Sequence, residues 1–118
     1  MSEFTTKALV ILAWGRVQRV GFRRFAERLA FSSKISGYIE NRRDGSVRIF
    51  AQGEAQRLDD FVEAIRNAPH PIVVVELETK NARVSPRIKH FQIKVGSMAM
   101  EMLEGFGSMA TQFEGYGE

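Results

Sequence analysis

The sequence predicts an α+β sandwich in the order βαββαβ with a short final strand: an antiparallel sheet of four to five strands carrying two helices on one face. Three observations support this. Two segments, 22–29 and 58–65, place apolar residues at i, i+3, i+4 and i+7, which is one face of a helix. The segments around them are continuously apolar or alternate with period two, and an Asp-Gly pair separates two of them as a hairpin turn does. Each helix has a single apolar stripe, and a sheet face is the surface that can cover it.

Element by element, Lys7 to Trp14 is a continuous apolar run too short for a typical helix and bounded by Gly15, so it reads as a strand covered on both faces. Phe22, Phe25, Ala26 and Leu29 mark the first helix, from about Gly21 to Ser33. Tyr38 to Asn41 and Val47 to Gln52 flank Arg42-Arg43-Asp44-Gly45, where glycine supplies the positive φ of a tight turn. Leu58, Phe61, Val62 and Ile65 mark the second helix, which Pro69 and Pro71 stop because they lack an amide donor. Asp59 and Asp60 are expected to open that helix and complement its positive dipole end. Val73, Val75 and Leu77 alternate with Glu76 and Glu78 in a strand from Ile72 to Val84, and Phe91, Ile93 and Val95 form the last strand.

Composition narrows the chemistry. The 118 residues suit one domain with its own core. There is no cysteine, which excludes disulfides, thiolate metal ligands and a cysteine nucleophile. No run approaches the roughly 20 apolar residues of a membrane span, and Met1-Ser2-Glu3-Phe4 lacks the layout of a signal peptide, so a cytoplasmic protein with no membrane partner is expected. All 17 Lys and Arg precede residue 97, whereas 98–118 holds Glu101, Glu104, Glu114 and Glu118 and no base. The formal charge of +3 therefore divides into +7 for the body and −4 for the end of the chain. Residues 1–97 are expected to form the domain and 98–118 an acidic, Met- and Gly-rich tail. That tail either is untethered, with a short helix from about Ser97 to Glu104, or packs on its own body or a neighbouring subunit.

Between the first strand and first helix, Gly15-Arg16-Val17-Gln18-Arg19-Val20-Gly21-Phe22-Arg23-Arg24 holds four arginines within ten residues at a helix start, Arg16, Arg19, Arg23 and Arg24, and no acid. A helix N-terminus is already partially positive, so this clustering is unfavourable unless an anion occupies the space, and phosphate fits the planar guanidinium fork. For Arg16, Arg24 and Arg28 a solvated basic edge is the alternative. Arg23, in the first helical turn after a glycine-containing loop, is placed to curl over the amides, although such an N-terminus can bind an anion without catalysis. His70 and His90 have no acid, base or hydroxyl nearby in sequence to make a triad or metal cluster.

The stretch Gly15-x-Val17-Gln18-x-Val20-Gly21-Phe22-Arg23 resembles the phosphate loop of the acylphosphatase family, and Gly37-Tyr38-Ile39-x-Asn41-x-x-Asp44-Gly45-Ser46-Val47 resembles that family's second signature. The resemblance spans about Lys7 to Val95. It implies a ferredoxin-like split βαβ sandwich and hydrolysis of small acyl phosphates to a carboxylate and inorganic phosphate, without cofactor or metal. It also implies that Gln18, Arg19, Val20, Gly21, Phe22 and Arg23 surround the phosphate, that Arg23 binds it, and that Asn41 positions the attacking water. Arg19 stands where the family usually has glycine. If that position is left-handed, a side chain there costs about 1 to 2 kcal/mol. Two alternatives are a catalytically silent anion- or RNA-binding module on the same fold, with Tyr38 and Phe50 as sheet aromatics, and the acylphosphatase-like domain of a larger maturation enzyme. No nucleic-acid partner is expected, since no RNA-recognition signature surrounds those aromatics.

Overall fold

The computed structural model describes residues 5–94; the expected tail lies outside them. Seven elements follow in order: β1 (Thr6–Arg16), α1 (Phe22–Ser32), β2 (Ser36–Asn41), β3 (Val47–Glu54), α2 (Ala55–Arg66), β4 (Val73–Ala82) and β5 (Phe91–Lys94). The sheet runs β4-β1-β3-β2-β5. The first four strands pair antiparallel, but β5 lies parallel to β2, with Gly37 opposite Phe91 and Glu40 opposite Lys94. The sheet is therefore mixed, where the sequence suggested antiparallel pairing throughout. The reason is topological: the chain leaves β4 at one edge and returns along the other, so β5 enters in the direction of β2.

Both helices lie on the same sheet face. α1 buries Phe22, Ala26 and Ala30, and α2 buries Leu58, Phe61 and Ile65, against Ile11, Ala13, Ile39, Val47, Ile49 and Ala51 of the strands. Full burial of side chains such as Leu58 or Ile65 contributes about 1.5 to 3 kcal/mol each, offset by the entropy of ordering the chain. The opposite face of β1 is not covered by helices, and Val10, Leu12 and Trp14 there are only half-buried. The expectation of a strand covered on both faces is corrected accordingly.

Two further expectations change. The pairing of β1 with β4 shifts register between Trp14 and Gly15, which breaks the alternation along β4. Val74 and Leu77 then pack toward the core, whereas Val73 and Val75 are exposed. Helix α2 begins at Ala55 and has no acid in its first turn, so Asp59 and Asp60 do not open it. Asp60 instead accepts a hydrogen bond from Gln56 one turn earlier.

The return connection from β4 to β5 is pinned by one side chain. Gln52 of β3 is 5% exposed; its amide nitrogen lies 2.9 Å from the Ser85 carbonyl and 3.1 Å from that of Ile88, and its oxygen accepts from the Ser85 amide at 2.8 Å. A buried amide so engaged fixes the crossover, and with it the parallel placement of β5.

Candidate active site

The C-terminal ends of β1 and β2 and the N-terminal start of α1 meet at one end of the sheet, because the antiparallel register carries Asn41 opposite Val47 and Val47 opposite Ala13. That register brings together two segments separated by the whole of α1.

Gly15 leaves β1 at φ 129, and a Cβ there would lie 2.3 Å from the Val73 carbonyl oxygen, so only glycine allows β4 to approach. Val17 is buried and ties the loop to the core. Arg19 (φ 64) and Gly21 (φ 83) are left-handed, and Val20 between them is not. Alternation of this kind turns successive amides toward a common centre and makes an anion-binding concavity. Gly21 is the N-cap of α1 and provides no side-chain cap, and the first turn holds no acid. The first intrahelical bond is donated by Phe25 to the Gly21 carbonyl, so the amides of Phe22, Arg23 and Arg24 have no helical partner. The left-handed positions at Arg19 and Gly21 and the uncapped start of α1 thus lie within five residues of Arg23, at an end of the helix that carries positive potential.

Two buried side-chain atoms in the described residues lack any hydrogen-bond partner: Arg23 Nη1 and Asn41 Oδ1. A buried donor or acceptor left unmade costs about 1 to 3 kcal/mol, more when charged, so each such atom calls for a partner, and a ligand or a water would supply one. Asn41 is 2% exposed and shares the core-facing side of β2 with Ile39. Its orphan is an acceptor, which suits a water or hydroxyl proton, whereas the Arg23 orphan is a charged donor, which suits an anion.

The tip following Asn41 is held by its own residues. The Arg42 amide donates to the Ser46 carbonyl at 2.8 Å, and Asp44 Oδ1 accepts from the Ser46 amide at 2.9 Å and from its hydroxyl at 2.5 Å. These bonds hold the Asp44 carboxyl below its ordinary value of 3.8, the Ser46 hydroxyl contributing most, then the Ser46 amide, with the nearby Arg42 charge adding a smaller effect.

Gln18 joins the loop to this tip. Its side-chain amide nitrogen donates to the carbonyls of Arg42 and Ser46, both at 2.8 Å. The two hydrogens are thus used, and only the backbone of Gln18 is left to meet an anion. Sequence reasoning placed Gln18 at the phosphate but missed this clamp, which spans 24 and 28 residues and leaves no periodic signal. Of the other expected residues, Phe22 is buried in the core, Val20 is half-buried, and Arg19 and Gly21 are exposed at the loop surface.

The alternative aromatic surface is occupied from within. Tyr38 stacks on Phe50 at 5.5 Å, Lys94 Nζ lies 4.2 Å from the centre of the Tyr38 ring, and Arg48 donates to the Tyr38 hydroxyl at 2.8 Å. These contacts occupy the aromatic surface that a stacked base would use. Among the described residues no three His, Cys, Asp or Glu side chains gather as metal ligands, and no helix is long and apolar enough to cross a membrane.

A family model described as Acylphosphatase matches residues 9–93. The acylphosphatase of Archaeoglobus fulgidus is 43% identical over 77 residues, 65% of this chain and 86% of that protein. The crystal structure of acylphosphatase from Bacillus subtilis superimposes with a TM-score of 0.69 at 34% identity, covering 76% of this chain and 99% of that one. Full-length HypF superimposes at 0.72 with 26% identity, over 79% of this chain but 12% of that one.

Proposed function

The chain belongs to the acylphosphatase family, and we propose that it hydrolyses small acyl phosphates with Arg23 as the phosphate-binding group and Asn41 as the water-positioning group. The reaction itself is that of the family: the carboxyl-phosphate bond is split to a carboxylate and inorganic phosphate. The observation that carries the residue roles is the pair of partnerless buried atoms, one a charged donor and one a neutral acceptor, on the two segments that the register brings to the same end of the sheet.

In this reading the phosphoryl oxygens sit among the amides of 19–23 and take two parallel hydrogen bonds from the planar fork of Arg23. Asn41 Oδ1 accepts a hydrogen bond from the attacking water and so aims the water's lone pair at phosphorus, and the water's protons stay with the phosphate that forms or pass to solvent. The phosphorus–oxygen bond to the acyl group breaks as the bond to water forms, and the electron pair leaves on the carboxylate. Since a carboxylic acid titrates near 4, that leaving group needs no proton from the enzyme, and positioning plus charge stabilisation is sufficient. Gln18 keeps loop and tip at fixed separation, so that water and phosphorus stay aligned. The reaction is proposed to need no metal or cofactor, and the protein to act in the cytoplasm without a nucleic-acid partner.

Phosphate release from a simple acyl phosphate, with and without chelator, tests the whole reading. Arg23→Ala should abolish most of the rate and weaken competitive inhibition by inorganic phosphate, with Lys only a partial rescue. Asn41→Ala should lower kcat by about a hundredfold while inhibition by phosphate changes little. Loss of phosphate affinity in Asn41→Ala at an unchanged kcat would overturn the division of roles, and loss of activity on chelation would overturn the metal-free scheme.

A further inference from the structure

The end of the sheet opposite the phosphate loop carries a groove that the hydrolytic reaction does not use. α1 closes there with the Ile35 amide donating to the Ala30 carbonyl at 2.8 Å, around Lys34 at φ 59. Glycine is the usual residue at such a helix end, because side chains disfavour left-handed backbone. Beside Lys34 a groove of about 740 Å³ opens between the last turns of α1 and the starts of β2 and β5. Phe31, 86% exposed, and Phe91 give it an apolar surface. Arg28, Lys34 and Lys89 stand around it and form no ion pair among the described residues, and Glu27 is the single acid in the lining.

We propose that this groove receives the chain's own acidic segment, residues 98–118. That segment complements it in both respects: it holds Met98, Met100, Met102, Leu103, Phe106, Met109 and Phe113 for the apolar surface, and four glutamates with no base for the cations. It also starts within reach, leaving β5 at Lys94, opposite Glu40, and having to turn back along the strand. β5 is the outermost strand, its first residue Phe91 lines the groove, and the segment begins four residues beyond its last residue, Lys94. From Lys94 back to the groove is three residues of strand, roughly 10 Å.

The test uses the full chain with ¹³C-methyl-labelled methionine, following the methyl resonances of Met98, Met100, Met102 and Met109. Docking predicts dispersed resonances that move toward random-coil positions in Phe31→Ala and in the Arg28→Glu, Lys34→Glu double variant. All three positions are exposed, so the variants should fold, and their phosphate-release rates provide the check. In about 1 M salt, where the screening length is about 3 Å, the docked fraction should fall by roughly tenfold. Saturating inorganic phosphate should leave the resonances in place. Random-coil positions in the unaltered chain would overturn the proposal. So would displacement by phosphate, which would put the segment on the phosphate loop, or dependence on protein concentration, which would make the occupant a second copy.

Discussion

Arg19 and Gln18 are neighbours with opposite effects on the loop. Arg19 sits at φ 64, a conformation that costs a non-glycine residue about 1 kcal/mol, with its side chain exposed. Arg19→Gly should therefore raise stability by about that amount and leave an active enzyme, measured as the denaturant midpoint and kcat/KM on one sample. Gln18 instead holds the loop to the tip after Asn41 through two carbonyls. Gln18→Glu puts an acceptor-only carboxylate against both, so it should cost about 2 to 3 kcal/mol and lower kcat more than phosphate affinity. Unchanged stability in Gln18→Glu would mean that the clamp contributes nothing.

At the scale of elements, the hairpin of β2 and β3 has a built-in acid sensitivity. Hydrogen bonds from Ser46 hold the Asp44 carboxyl below 3.8, so the folded state binds this proton less readily than the unfolded one. The sign follows: the contribution is fully present above about pH 4 and is lost as pH falls through the lowered folded value. Urea midpoints between about pH 5 and pH 2 should decline on the acid side, and Ser46→Ala should make that decline shallower by removing the largest cause. A decline equally steep in Ser46→Ala would assign it to other carboxylates. The sequence marked this turn through Asp44-Gly45, but the bond to Ser46 depends on how the turn closes. The same limit explains β4: apolar spacing suggested Val73, Val75 and Leu77 on one face, and the register shift opposite Gly15 moved Val74 into that role.

For the whole molecule, a site whose buried charge lacks a partner when empty should couple occupancy to folding. Inorganic phosphate at about 100 times its Kd should stabilise the protein by about 2.7 kcal/mol, seen as a rise in Tm, and most of that rise should vanish in Arg23→Ala. Removal of residues 98–118 should leave kcat/KM within about twofold, because the proposed groove lies at the far end of α1 from the phosphate loop. The amino-acid sequence by itself determined the element order, the two helical stripes and the glycine-bearing, arginine-rich loop, while the proposed roles of Arg23 and Asn41 came from the resemblance to the acylphosphatase signatures. Element order, stripes and loop are local properties of spacing and residue type. Tertiary structure alone decided that β5 runs parallel to β2, that Gln18 and Gln52 serve as clamps, that Arg19 is left-handed, and that Arg23 and Asn41 each keep a buried atom without a partner. Each of those depends on segments far apart in the chain meeting in one register, and no periodicity in a sequence encodes where a hydrogen bond across 24 residues will close.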